Sequence, residues 1–174
     1  MGNGGNFAQR MHTSVLLHHC FTRPVGRTMP LMCTNERYAI QLSNASGETI
    51  PATAEVSVTH VDEPEGGWSR RCWVRIAWPD GNVEATDRSV YHAFAAVREQ
   101  LEPLGLVPLC YGACPEVQVS GMAVEMSDGI IAYRLSDPRD GWGGPTVNIF
   151  DTGPDISPAS VAEQREYRQR GRST

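Results

Sequence analysis

The chain has no lysine; all fifteen basic side chains among its 174 residues are arginine. On a solvated surface either residue serves, so this absence speaks of codon usage in a G+C-rich genome and excludes no mechanism. Long apolar runs are missing too. The longest near the start, Val15-Leu16-Leu17, falls far short of a signal-peptide core, and nothing approaches the roughly 20 apolar residues of a membrane span. The five cysteines, Cys20, Cys33, Cys72, Cys110 and Cys114, are odd in number and follow no repeated spacing, which argues against a secreted disulfide framework. Leu17-His18-His19-Cys20 sets bulky imidazoles where a lipoprotein cleavage site needs small residues. Asn6 stands where a myristoylation signal places Ser or Thr. These absences lead to the expectation of a cytoplasmic protein with no membrane partner.

Glycine (17) and proline (12) are plentiful and hold the apolar share to 40%, so part of the chain is expected to be loop or tail. Charge is uneven. Residues 1–35 carry Arg10, Arg23 and Arg27 without an acid, and residues 163–174 carry four arginines against Glu163 and Glu166. Between these ends 8 arginines face 18 acids, a formal charge of −10. A body of that charge repels a phosphate backbone, so nucleic acid is not an expected partner.

Residues 1–33 show no sustained apolar period and read as a disordered tail, with Met29 or Met32 an alternative start to Met1. From there the pattern changes. Tyr38, Ile40 and Leu42 alternate with Ala39, Gln41 and Ser43, as in a strand with one buried face. The alternation returns in Val56, Val58 and His60, and again in Cys72, Val74, Ile76 and Trp78. Pro79-Asp80-Gly81-Asn82 then predicts the turn of an antiparallel hairpin. Val90, Phe94, Val97 and Leu101 form one stripe of a helix, with Asp87 as its expected N-cap and Pro103 and Gly105 beyond its end. Leu106 to Tyr111, Gly129 to Ser136 and Val147 to Phe150 read as strands, with a short helical turn over Ser120 to Met126. A last helix is expected to open with Ser157 as cap, Pro158 at its first position and Ile156 stapled to Val161. The loop from Pro138 to Pro145 is glycine-rich and reads as a flexible connection. The fold class is α+β: an antiparallel sheet with a central amphipathic helix packed on one face and a C-terminal helix, in a single domain over residues 34–170.

Within about Val90 to Phe150 the helix is followed by Cys110, Gly112-Ala113, Ser120-Gly121-Met122, Ser127-Asp128-Gly129 and Ala132-Tyr133-Arg134-Leu135. In this order the elements resemble a family of short uncharacterised bacterial proteins. Where the family's pattern has a basic pair after the Gly-Ala step, this chain has Cys114-Pro115, so binding by that pair would be lost or altered here. No activity comes with the family, and the resemblance implies a fold and no reaction.

Chemistry-bearing residues are sparse. Cys110 and Cys114 have a spacing fit for two metal thiolates, but no second pair stands nearby and a buried small thiol is the simpler reading. The body histidines are His60, on the apolar face of its strand, and His92, turned away from the helix stripe and expected at the surface. His12, His18, His19 and Cys20 lie in the tail, where a preformed metal site is not expected. Asp62, Glu63 and Glu65, around Pro64, read as solvated charge. No cofactor, metal or catalytic residue is called for. The remaining feature is the hairpin, where Trp73 shares a face with Arg71 and Arg75, opposite Cys72, Val74, Ile76 and Trp78. Aromatic and Arg residues are enriched at binding hot spots, and cation–π stacking can order them; the competing reading is a Trp73 covered by the tail or the last helix. Two function classes follow: a non-catalytic interaction protein of accessory, regulatory or immunity-like kind, binding a protein through Arg71, Trp73 and Arg75, or a small enzyme or ligand-binding domain with a pocket at Cys110, Cys114, Ser120 and Met122.

Overall fold

Period-two alternation builds the first half of the chain. In a computed structural model, which describes residues 33–62 and 67–171, β1 (Cys33–Ser43), β2 (Thr49–Asp62), β3 (Trp68–Trp78) and β4 (Gly81–Asp87) form an antiparallel meander. A two-residue strand, β5 (Val107–Pro108), completes the curled sheet in the order β4-β3-β2-β1-β5. Ile40, Leu42, Ala54, Val56, Val58, Cys72, Val74 and Ile76 are buried on one face, as the alternation predicts. The hairpin turn falls at Pro79-Asp80, with Trp78 facing Gly81. The expectations for the tail, for Glu63 and Glu65 and for the tail histidines lie outside the described residues; β1 opens at Cys33, one residue before the expected start of the domain.

α1 (Val90–Leu101) packs on the buried face through Val90, Ala93, Phe94, Val97 and Leu101. Full burial of a side chain such as Val or Phe contributes about 1.5–3 kcal/mol, so this stripe anchors the helix. Its N-cap is Ser89 and not Asp87: β4 extends through Asp87, and the Ser89 hydroxyl accepts from the His92 amide. A 3₁₀ turn (Glu102–Leu104) ends the run at Gly105, whose φ of 68° suits glycine.

The second half forms a smaller layer. A 3₁₀ turn (Tyr111–Ala113) leads to β6 (Val117–Gln118), α2 (Gly121–Ser127), β7 (Ile131–Arg134) and β8 (Thr146–Asn148), with the three strands in one antiparallel sheet. β7 and β8 are shorter than the strands expected over Gly129 to Ser136 and Val147 to Phe150, and of Leu106 to Tyr111 only Val107 and Pro108 pair before the chain enters the Tyr111–Ala113 turn. Gly112 is indispensable there: a Cβ would lie 2.8 Å from Ile149 Cβ and 3.0 Å from the Phe94 ring. Phe150 joins the layers, stacking on Tyr38 at 4.6 Å and meeting Phe94 edge-on at 5.2 Å. The last helix, α3 (Val161–Arg170), starts three residues later than Pro158 would place it. Ser157 donates its amide to Cys114 Sγ and Ala159 donates to the Ala113 carbonyl, so this stretch is an extended strap across the turn. Ser160 then caps the helix in a capping box with Glu163.

Candidate interaction face

The parity that buries Cys72, Val74 and Ile76 turns Arg71, Trp73 and Arg75 to the other side of β3. The strand register sets them in rows. Trp73 faces Ser57 on β2 and Thr86 on β4; Arg75 faces Glu55 and Glu84, and Glu55 in turn faces Arg37 on β1. The second row therefore alternates in sign across four strands. Glu55 is its centre, with one oxygen 2.9 Å from Arg37 and the other 3.4 Å from Arg75, while Arg75 Nε donates to Asn82 at 3.3 Å. Such partly exposed pairs contribute at most about 1 kcal/mol each, so they order the face more than they stabilise it. Trp73 is half-buried among these neighbours and Arg71 is exposed.

The even-numbered side chains of β3 behave differently at its start. Arg70, nearly buried, lies 2.7 Å from Asp128 and 3.2 Å from Glu125 and donates to the Val124 carbonyl, which ties α2 to β3. Its guanidinium also lies over the exposed Trp68 ring at 5.3 Å, so the cation–π pair in this hairpin is Arg70 with Trp68.

Cys110 and Cys114 share one buried turn, where the Cys114 thiol meets the Cys110 carbonyl at 3.7 Å. Burial pushes the Cys110 thiol up to about 12 and raises Cys114 as well, so neither is a ready thiolate. Ser120 is spent as the N-cap of α2, accepting from the Ala123 amide, and Met122 is 67% exposed. Among the described residues, clefts of 740 Å³ beside Ala39, Thr53, Ala77 and Trp78 and of 540 Å³ beside Glu116, Arg134 and Tyr167 are not lined by these four residues. Both body histidines have other partners: His92 Nδ1 is 2.6 Å from Ser89 Oγ, and His60 lies against Trp68 at 5.2 Å. Among the described residues no group of three His, Cys, Asp or Glu could hold a metal ion.

Two polar networks were not anticipated. Arg98, buried on α1, donates to the carbonyls of Gly112, Ala113 and Ala159 and to Gln164 Oε1. Gln164 in turn donates to the carbonyls of Gly112, Cys114 and Val117. The available signal was positional, since Arg98 stands four residues after Phe94, inside the apolar stripe. The second network joins Arg134 to Asp155 and Glu116, with the Tyr111 hydroxyl donating to Asp155 at 3.0 Å. The hydrogen bonds from Arg134 and Tyr111 hold the exposed Asp155 carboxyl below its ordinary range. One guanidinium thus bridges two carboxylates, an arrangement that suits a structural clasp.

No family model and no curated protein matches the chain. Among the described residues no helix is long and apolar enough to cross a membrane.

Proposed function

We propose that the protein is a non-catalytic, cytoplasmic interaction protein of accessory, regulatory or immunity-like kind, which docks a protein partner on the outer face of its larger sheet. Trp73 carries this reading. It is an indole on the face opposite the core, with the exposed Arg71 on one side and the Glu55-tethered Arg75 on the other. A partner presenting carboxylates around an apolar patch suits it, with Arg71 and the largely exposed Arg37 as the cations. The acidic body favours a protein over a nucleic acid. A place among the short bacterial proteins that the chain resembles belongs to the same proposal. The alternative, an enzyme or ligand-binding domain centred on Cys110 to Met122, is disfavoured by thiols that burial keeps protonated.

The test is affinity capture from the native host, with circular dichroism on the same sample. The double variant Trp73→Ala with Arg75→Ala is expected to stay folded and lose the captured partner. Full retention of the partner by the folded variant would place the binding face elsewhere, and unfolding would make Trp73 a core residue.

A further inference from the structure

β4 is an edge of the larger sheet along its whole length, bonded to β3 alone. Trp78 and Gly81 close a two-residue turn as a facing pair, and the register runs on through Ile76↔Val83, Val74↔Ala85 and Cys72↔Asp87. In an antiparallel ladder alternate pairs exchange both backbone bonds, so these residues of β4 turn their N–H and C=O groups toward β3. Asn82, Glu84 and Thr86 turn theirs outward. The Glu84 carbonyl shows this directly: it accepts from Gln100 Nε2, on α1, at 2.9 Å. Among the described residues nothing takes the outward N–H groups of Asn82, Glu84 and Thr86.

α1 forms a second wall beside this edge. It begins where β4 ends, and Gln100 reaches back to Glu84. Residues four apart share a helix face, so Ala96 and His92 continue the Gln100 stripe toward the Asp87 end of β4. Both are half-buried, and at Ala96 the wall is only a methyl high. Three acidic side chains near the edge, Asp80, Glu84 and Asp87, are exposed, with Arg88 beside Asp87 and Arg75 opposite Glu84 as the neighbouring bases. A strand edge beside a helix, with open donors and a low wall, fits an extended peptide whose main chain supplies the bonds. The acidic rim selects a basic one.

We propose that the groove between the β4 edge and the His92, Ala96 and Gln100 stripe of α1 binds a basic, extended segment of a partner protein as an added strand, with Gln100 released from the Glu84 carbonyl. Main-chain pairing supplies the affinity, a small side chain lies over Ala96, and Lys or Arg side chains reach Asp80, Glu84 and Asp87. This groove borders the Trp73 face along Glu84 and Thr86, which pair with Arg75 and Trp73.

The experiment titrates the ¹⁵N-labelled full chain with a short peptide of alternating Arg and Val. The expected result is shifted and exchange-protected amides at Asn82, Glu84 and Thr86, together with a shifted Gln100 side-chain amide. The same peptide N-methylated at alternate residues is expected not to bind, and an alternating Glu and Val peptide to bind at least about tenfold more weakly. Glu84→Pro removes an outward donor without breaking the ladder to β3 and is expected to abolish binding. Gln100→Ala frees the carbonyl and is expected to tighten it, a readout that remains if the proline variant does not fold. Absence of binding, equal binding of the N-methylated peptide, or pairing of β4 edges between two copies would overturn the proposal. Shifts confined to Arg71, Trp73 and Arg75 would overturn it too, whereas an Arg37→Ala, Arg71→Ala variant, which removes the cations of the outer face, is expected to bind the peptide normally and so separates its fate from that of the outer face.

Discussion

Phe94 and His92 lie two residues apart on α1, and the helical period turns only one of them inward. Phe94 is fully buried between Phe150 and the Gly112 turn. Phe94→Ala is expected to cost roughly 3–5 kcal/mol, and His92→Ala about 1 kcal/mol, the size of one hydrogen bond; urea unfolding of both variants checks the ranking. The period made Phe94 legible. It did not reveal that His92 is half-buried, because that depends on which residue caps the helix: with Ser89 at the cap, its hydroxyl meets both the amide and the ring of His92. Burial lowers the His92 pKa, so the unfolded chain binds the proton more readily than the folded one. Stability contributed by the neutral ring is therefore present above the ordinary value of about 6.5 and lost as pH falls through the lower folded value. Between pH 7.5 and pH 5 the urea midpoint of His92→Gln is expected to fall less steeply than that of the wild type. Parallel slopes would mean that the ring is equally easy to protonate in both states.

The elements divide by what holds them in place. β1 to β4 and α1 are held by apolar faces, and the alternation and the 3.6-residue stripe identify them with their faces. α3 is held otherwise. Its buried residues are Val161 and Gln164, a combination in which apolar periodicity sees nothing, and the sequence pattern could place only its approximate start. The docking chemistry is polar: the Gln164 amide serves three backbone carbonyls and its oxygen receives Arg98, a buried cation whose acceptors are carbonyls. The extended strap from Ser157 to Ala159 is equally hard to foresee, since its partners lie in the Cys110 to Cys114 turn, more than forty residues earlier. Gln164→Leu adds apolar surface yet leaves carbonyls and a guanidinium short of partners, at about 1–3 kcal/mol for each group left unpaired. Arg165→Ala, one residue on, removes an exposed pair with Glu99 and is expected to cost at most about 1 kcal/mol. Thermal unfolding of the two variants should separate them clearly, and equal losses would show that α3 does not rely on its glutamine.

At the scale of the molecule the question is whether the larger sheet and the smaller layer unfold together. Phe150 argues that they do, since it follows β8 yet packs on Tyr38 of β1 and Phe94 of α1, and the Arg98 network adds α3 to the same junction. The cysteines report on this from both sides. Cys72 lies in the sheet and Cys110 in the turn of the smaller layer; both are fully buried, and burial pushes each thiol up to about 12. At pH 8 neither offers a thiolate to solvent while folded, so alkylation requires unfolding of the structure around it. Because Cys20 and Cys33 are also present, the modified sites must be read peptide by peptide with mass spectrometry. Cys72 and Cys110 are expected to lose protection at the same urea concentration and with the same slope, as parts of one cooperative unit. If Cys110 and Cys114 became labelled at lower urea than Cys72, the smaller layer would be opening by itself, and Phe150 would be a hinge between two units instead of their common core.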